Sequence, residues 1–297
     1  MNTLIVITGP TAVGKTELTI ELARHYGTPV INADSRQIYR ELRIGTASPT
    51  EEQLQRARHY FVGTKSIREY YNASMYEAEV MELIAQLPAD RPYLLSGGSM
   101  MYIDAVCNGI DDIPTIRDDI REEMKRRYRE EGLESLCQEL QRLDPEHYAI
   151  VDRQNHRRVI HALEICHQTG RTYTSFRTQE KKARPFRIVK IGLNRQREEL
   201  YDRINARVDS MMVEGLLKEA EGLYAERSLN ALNTVGYKEL FDYMEGRWPI
   251  EEAVERMKGN TRRYARKQLT WFKRDEAVRW FHPEDREGVI DYISKYV

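Results

Sequence analysis

Cysteine is scarce in these 297 residues: Cys107, Cys137 and Cys166 are odd in number and far apart, and no C-x-x-C pair occurs. That excludes a disulfide framework and a zinc finger and predicts a reduced, cytosolic setting. No apolar run approaches the length of a membrane span, and the apolar stretch at residues 4–8 is too short for a signal-peptide core. No membrane partner is therefore expected. His25, His59, His147 and His167 have no metal-ligand spacing. There is no long apolar heptad seam, so a monomer is expected. Nor is there an excess of one charge. Lys and Arg number 46 against 47 Asp and Glu, a net charge of −1, which argues against a generic nucleic-acid coat.

The charge is nevertheless uneven. Residues 262–274 carry Arg262, Arg263, Arg266, Lys267, Lys273 and Arg274 with no acid among them. Residues 153–187 hold nine basic residues against Glu164 and Glu180. Local basic surface on a neutral chain suggests a specific polyanion footprint; a solvated helix face is the other reading of each stretch.

The most specific pattern is Gly9-Pro10-Thr11-Ala12-Val13-Gly14-Lys15-Thr16. It follows an apolar run at residues 4–8 and opens an amphipathic stretch. This is the phosphate-binding loop G-x-x-x-x-G-K-[ST] in its strand-loop-helix setting. Backbone N–H groups of such a loop converge on phosphate oxygens at the positive end of the following helix. Lys15 is expected to reach the terminal phosphate and Thr16 to hold Mg²⁺, the one cofactor the pattern calls for.

Short apolar strands at 4–8, 29–33 and 92–96 alternate with helical spacing at 15–26, 73–87 and from Gly97-Gly98-Ser99 to 106. That order predicts an α/β fold: a phosphate-loop NTPase-like parallel sheet flanked by helices. Ligands of such sheets lie at the carboxyl ends of the strands. The phosphate loop, Asp34–Gln37 and Gly97–Ser99 should therefore surround one crevice. From 114 to 186 the pattern becomes helical and highly charged, with helices expected at 118–131, 133–143 and 156–169. An all-helical domain for recognition of the polyanion is thus expected at 114–186, inserted into a core of 1–113 and 187–297. Strand character returns at 187–193, followed by helices at 198–226 and 250–273.

Most phosphate-loop proteins bind a nucleotide such as ATP and transfer or hydrolyse its terminal phosphoryl group. They usually place an Asp at a later strand end for Mg²⁺, yet Leu95-Ser96-Gly97-Gly98-Ser99 has no acid. The acid near the site is Asp34, at the end of the second strand. The loop is thus open to the pyrophosphate of a different substrate. As a carboxylate at a strand end, Asp34 suits a turn cap.

Six blocks occur in order: Gly9–Thr16, Asp34-Ser35-Arg36-Gln37-Ile38-Tyr39, Ile44-Gly45-Thr46-Ala47, Gly97-Gly98-Ser99-Met100-Met101-Tyr102, Val235-Gly236-Tyr237-Lys238 and Arg266-Lys267-Gln268-Leu269-Thr270-Trp271-Phe272. Together they resemble the bacterial tRNA dimethylallyltransferases, nearly end to end. The resemblance implies transfer of a dimethylallyl group from dimethylallyl diphosphate to N6 of the adenosine 3′-adjacent to the anticodon. It implies tRNA and the diphosphate as partners, Asp34 as general base, and Thr16 and Arg203 as its companions in catalysis. Arg203 would meet the pyrophosphate opposite the loop. Arg207, four residues on, shares that helix face, but a surface ion pair with Asp202 or Glu199 is an equal expectation.

For tRNA the resemblance implies Asp34, Ser35, Arg36, Gln37 and Ser99 near the reacting base. Arg121, Arg157, Arg158 and His161 would serve it in the insertion, with Gly236, Tyr237, Lys238, Arg266, Lys267 and Lys273 elsewhere. Ser99 stands where most of the family has Thr, Arg157-Arg158 where it has Gln-Arg, and Asn233 where Arg is often found. Tyr237 or Trp271 would stack on splayed bases, although Trp271 and Phe272 also suit the core side of the last long helix. The competing classes are an adenylate isopentenyltransferase, a small-molecule or nucleotide kinase, and an RNA-binding module without activity. The insertion counts against the first, the missing strand-end acid against the second, and the intact Lys15-Thr16 pair against the third.

Overall fold

The computed structural model describes residues 2–178 and 180–297. Its elements are β1 (Asn2–Thr8), α1 (Lys15–Tyr26), β2 (Val30–Asn32), α2 (Glu51–Arg56), β3 (His59–Tyr60), α3 (Ala73–Gln86), β4 (Tyr93–Ser96) and α4 (Met100–Asn108), then α5 (Asp118–Leu143), α6 (Pro145–Ile150) and α7 (His156–Thr169). They continue as β5 (Phe186–Leu193), α8 (Arg197–Glu214), α9 (Leu216–Leu223), α10 (Tyr237–Met244), α11 (Ile250–Phe272), β6 (Val278–Phe281) and α12 (Arg286–Ile293).

The six strands form one sheet in the order β3-β2-β4-β1-β5-β6, and every pairing is parallel. β1 lies inside it, paired with β4 on one side and β5 on the other. Successive side chains of a strand point to opposite faces. Leu4 and Val6 therefore enter one core with Ile31, Leu95 and Tyr76, while Ile5 and Ile7 enter another with Leu18, Leu22 and Ile191. Both faces are covered, so β1 reads as an unbroken apolar run. Each such buried aliphatic side chain contributes about 1.5–3 kcal/mol. The chain leaves β1 for β2 in one direction and reaches β5 in the other, so the loop after β1 opens at the switch point of the sheet.

The chain divides into two compact units, 1–108 with 183–297, and 109–182. The helical unit thus starts and ends a few residues before the expected 114–186. It has its own core, which includes Met124, Leu136, Leu140, Val159 and Leu163. α5 breaks at Gly132, whose φ of 80° is not helical, as the two expected helices on either side of it require.

The single helix expected at 198–226 is instead two. Gly215 adopts φ 103°, ends α8 and opens α9. The short edge strands β3 and β6 were not expected from the sequence. β3 is two residues long, and β6 keeps only Val278 buried, so neither carries an apolar run. Among the described residues no helix is long and apolar enough to cross a membrane.

Candidate active site

The loop between β1 and α1 borders a cavity of about 620 Å³ at the carboxyl ends of β1, β2 and β4. Thr11, Ala12, Gly14, Lys15 and Thr16 line it, with Asn32 and Asp34 after β2 and Ser96, Gly97 and Gly98 after β4. The three segments expected around one crevice therefore do meet. Gly97 is required there by close approach: a Cβ would lie 2.2 Å from the Ala33 carbonyl oxygen. Gly9, Pro10 and Val13 are buried, and they shape the loop from behind.

Lys15 Nζ donates to the carbonyls of Gly9 at 2.9 Å and Pro10 at 2.7 Å. Burial, aided by the Arg207 charge and opposed by Asp34, pulls its ammonium down to about 7. Thr16 is exposed at the start of α1 and lines the cavity. Asp34 Oδ1 accepts from the backbone N–H of Arg36 at 2.9 Å and of Gln37 at 3.3 Å. The carboxylate thus caps the turn, as one of the two expectations had it, and also lines the cavity.

A second cavity, about 360 Å³, shares Thr11, Asp34, Thr46, Arg207, Met211 and Tyr264 with the first. Beyond those it is lined by Ser35, Arg36, Ser99, Asn233, Gly236 and Lys238, among others. Ser99 Oγ accepts from the Ser35 N–H at 2.7 Å and lies 3.0 Å from the Ser35 hydroxyl, so it fixes the Asp-Ser turn as well as lining the cavity. Arg36 reaches the Asn230 carbonyl, and Gln37 Nε2 donates to the carbonyls of Thr46 and Ala47.

Helix α8 supplies the opposite wall. Arg203 Nε donates to the Ala12 carbonyl at 2.9 Å and its side chain lines the first cavity. Arg207 also lies inside, near Thr11 Oγ1 at 3.5 Å and donating to the Thr46 carbonyl at 3.4 Å. Burial pulls its guanidinium down and Asp34 pulls it back up. The surface ion pair expected for it does not form: Glu199 pairs with Arg195 instead. The sequence held the signal, since positions four apart share a helix face.

Two residues were missed. Arg195 donates from Nε to the Val13 carbonyl at 2.9 Å, next to the carbonyl that Arg203 holds. Gln268, buried on α11, accepts from the Thr11 N–H at 2.9 Å and donates to the Gly98 carbonyl at 2.8 Å. It sits inside the Arg-Lys-Gln block, where the charged neighbours drew the reading.

The residues expected to serve RNA divide by exposure. Lys238, Lys267 and Lys273 are exposed. Arg266 is exposed but donates to the Tyr201 hydroxyl at 2.9 Å. Tyr237 is fully buried with its hydroxyl on Glu219, so its ring is closed to stacking on a base. Trp271 donates Nε1–H to Asp104 at 2.8 Å and Phe272 is buried in the core, as packing residues. In the helical unit, Arg157 and Arg158 are exposed on α7, while Arg121 at 4.0 Å and His161 at 3.4 Å both approach Glu164.

The family model described as IPP transferase matches residues 37–275. The chain is 60% identical over 294 residues to tRNA dimethylallyltransferase 1 of Bacteroides fragilis, covering 99% of this chain and 98% of that one. It resembles the crystal structure of the full-length tRNA isopentenylpyrophosphate transferase of Bacillus halodurans, with a TM-score of 0.73, 35% identity, and coverage of 100% and 97%. A eukaryotic dimethylallyltransferase described as acting on tRNA gives a TM-score of 0.84 at 24% identity, covering 100% of this chain and 81% of that one, and speaks for the fold alone. The chain belongs to the IPP transferase family.

Proposed function

We propose that this chain transfers the dimethylallyl group of dimethylallyl diphosphate to N6 of the adenosine 3′-adjacent to the anticodon in tRNA, and releases pyrophosphate. One observation carries the reading: two cavities meet at Asp34, one walled by the phosphate loop and the other opening past Arg36 and Lys238. Diphosphate and tail belong in the first, the adenine in the second. The names of the relatives, tRNA dimethylallyltransferase and tRNA isopentenylpyrophosphate transferase, support the same substrates.

The chemistry follows from the walls. N6 attacks the allylic carbon, the carbon–oxygen bond breaks, and pyrophosphate leaves with the electron pair. Negative charge grows on the leaving oxygens, and Lys15, Arg203 and Arg207, which line the same cavity, supply the positive charge to offset it. An exocyclic amine is a poor nucleophile because its lone pair is delocalised. Asp34, placed where the cavities meet, takes its proton. The first cavity offers hard oxygen donors in Thr16, Asn32, Asp34 and Ser96, a set that fits Mg²⁺. Thr16 would hold the ion, which would offset leaving-group charge.

The exposed cations Arg157 and Arg158 in the helical unit, and Lys238, Lys267 and Lys273 elsewhere, are proposed to meet tRNA phosphates, with the protein acting as a cytosolic monomer. Incubation with labelled dimethylallyl diphosphate, comparing unmodified tRNA, AMP and no acceptor, tests the reading. Label on tRNA alone is expected. Label on AMP makes it a free-nucleotide enzyme, and no transfer to either sinks the proposal.

A further inference from the structure

Residues 43–47 form one wall of the site and belong to no helix or strand. Ile44 and Ala47 of this segment line the first cavity together with Ala206 and Met211 of α8. These side chains give the cavity an aliphatic stretch beside the phosphate loop, the kind of surface a five-carbon tail would need. The segment closes turns of its own, Ala47 N–H to the Ile44 carbonyl at 2.9 Å and Ser48 N–H to the Arg43 carbonyl at 3.0 Å, but no strand pairs with it, so its placement against the cavity is set by side chains from outside.

The first of them is Glu219 on α9. Its Oε2 accepts from the N–H of Arg43 at 3.0 Å and of Ile44 at 2.9 Å. Its Oε1 accepts from the N–H of Gly45 at 3.0 Å and from the Tyr237 hydroxyl at 2.6 Å. Three consecutive backbone N–H groups around one carboxylate form an anion nest, and charge-assisted bonds of this kind are about twice as strong as neutral ones. Tyr237 closes the nest from behind. It is fully buried, and a Cβ on Gly45 would fall 2.7 Å from its ring, so only glycine lets the segment pass. On the cavity side, Gln37 and Arg207 hold the carbonyls of Thr46 and Ala47. Ala47 keeps φ 44°, a left-handed conformation that a non-glycine residue retains only when its surroundings impose it.

We propose that Glu219 is a positioning residue that sets the depth of the prenyl subsite: by fixing residues 43–45 it holds Ile44 and Ala47 against a five-carbon tail and excludes longer allylic diphosphates. The inference rests on the prenyl-transfer reading above. A glutamine at 219 has one acceptor oxygen and brings two donors, so it cannot receive all four bonds. The wall should loosen while the phosphate loop, which Glu219 does not touch, stays intact.

The test compares kcat/KM for dimethylallyl and geranyl diphosphates on unmodified tRNA, in the wild type and in Glu219→Gln. Discrimination against the ten-carbon donor should fall by about tenfold or more, the scale on which pocket contacts separate hydrophobic substrates. Pyrophosphate affinity should stay unchanged. Glu219→Asp keeps the charge but retracts it, and should lower the ratio as well if Glu219→Gln fails to fold. A wild-type ratio in either folded variant, or an equal loss of rate for both donors, overturns the inference. Failure of the wild type to transfer the five-carbon group at all would instead sink the function proposed above.

Discussion

Gln268 holds the Thr11 amide at 2.9 Å across 257 residues of sequence, and the same side chain holds the Gly98 carbonyl at 2.8 Å. Helix α11, which carries the exposed Arg263, Arg266 and Lys267, is thereby fastened to both the phosphate loop and the turn after β4. Replacing Gln268 by Leu leaves a buried N–H and a buried carbonyl without partners, each costing about 1–3 kcal/mol when water cannot reach it. A loss of stability on that scale is expected in urea denaturation, with weaker pyrophosphate binding alongside. A stability change below about 0.5 kcal/mol would show that water replaces both bonds.

Asp34→Asn separates its two roles. The amide oxygen can still accept from the N–H groups of Arg36 and Gln37, so the turn should survive. The ability to take a proton is lost, which typically costs about 10²–10⁴ in rate. Single-turnover measurements should show that fall with tRNA affinity nearly intact. A wild-type single-turnover rate would remove Asp34 from the chemistry.

Lys15 sits at about 7 in the folded protein against 10.5 ordinarily. Between those values the unfolded chain binds more protons than the folded one, so stability should rise with pH across that window, with no slope from this group below it. Lys15→Met should remove the slope in denaturation series from pH 7 upward. Diphosphate binding supplies the missing counter-charge, so at pH 8 it should draw a proton onto Lys15. Calorimetry in buffers of unlike ionisation enthalpy reads that uptake directly, and its persistence in Lys15→Met would assign the proton to another group.

On α11, Arg266 is partly occupied by Tyr201 whereas Lys267 points to solvent. If each meets one tRNA phosphate, replacing both by Ala should flatten the slope of log K against log salt by ~1.4–1.8. All tRNAs should weaken alike, and the rate at saturating tRNA should change little. A change of about half that size would mean that Tyr201 keeps Arg266 from the RNA.

What the sequence alone determined here is what depends on near neighbours along the chain. The phosphate loop, the strands before it and at 93–96, and the helix α7 are written in patterns a few residues long, because backbone geometry is set by residues within a turn or a strand repeat. The loss of strand pattern likewise marked the helical unit to within a few residues of its edges. Direction and partner were decided only by the tertiary structure. Arg207 turns inward rather than to Glu199, Tyr237 is buried behind Glu219, and Gln268 reaches the loop from the far end of the chain. Each of these depends on which helix packs over which strand, and helical spacing alone says which residues share a face but not what that face will meet.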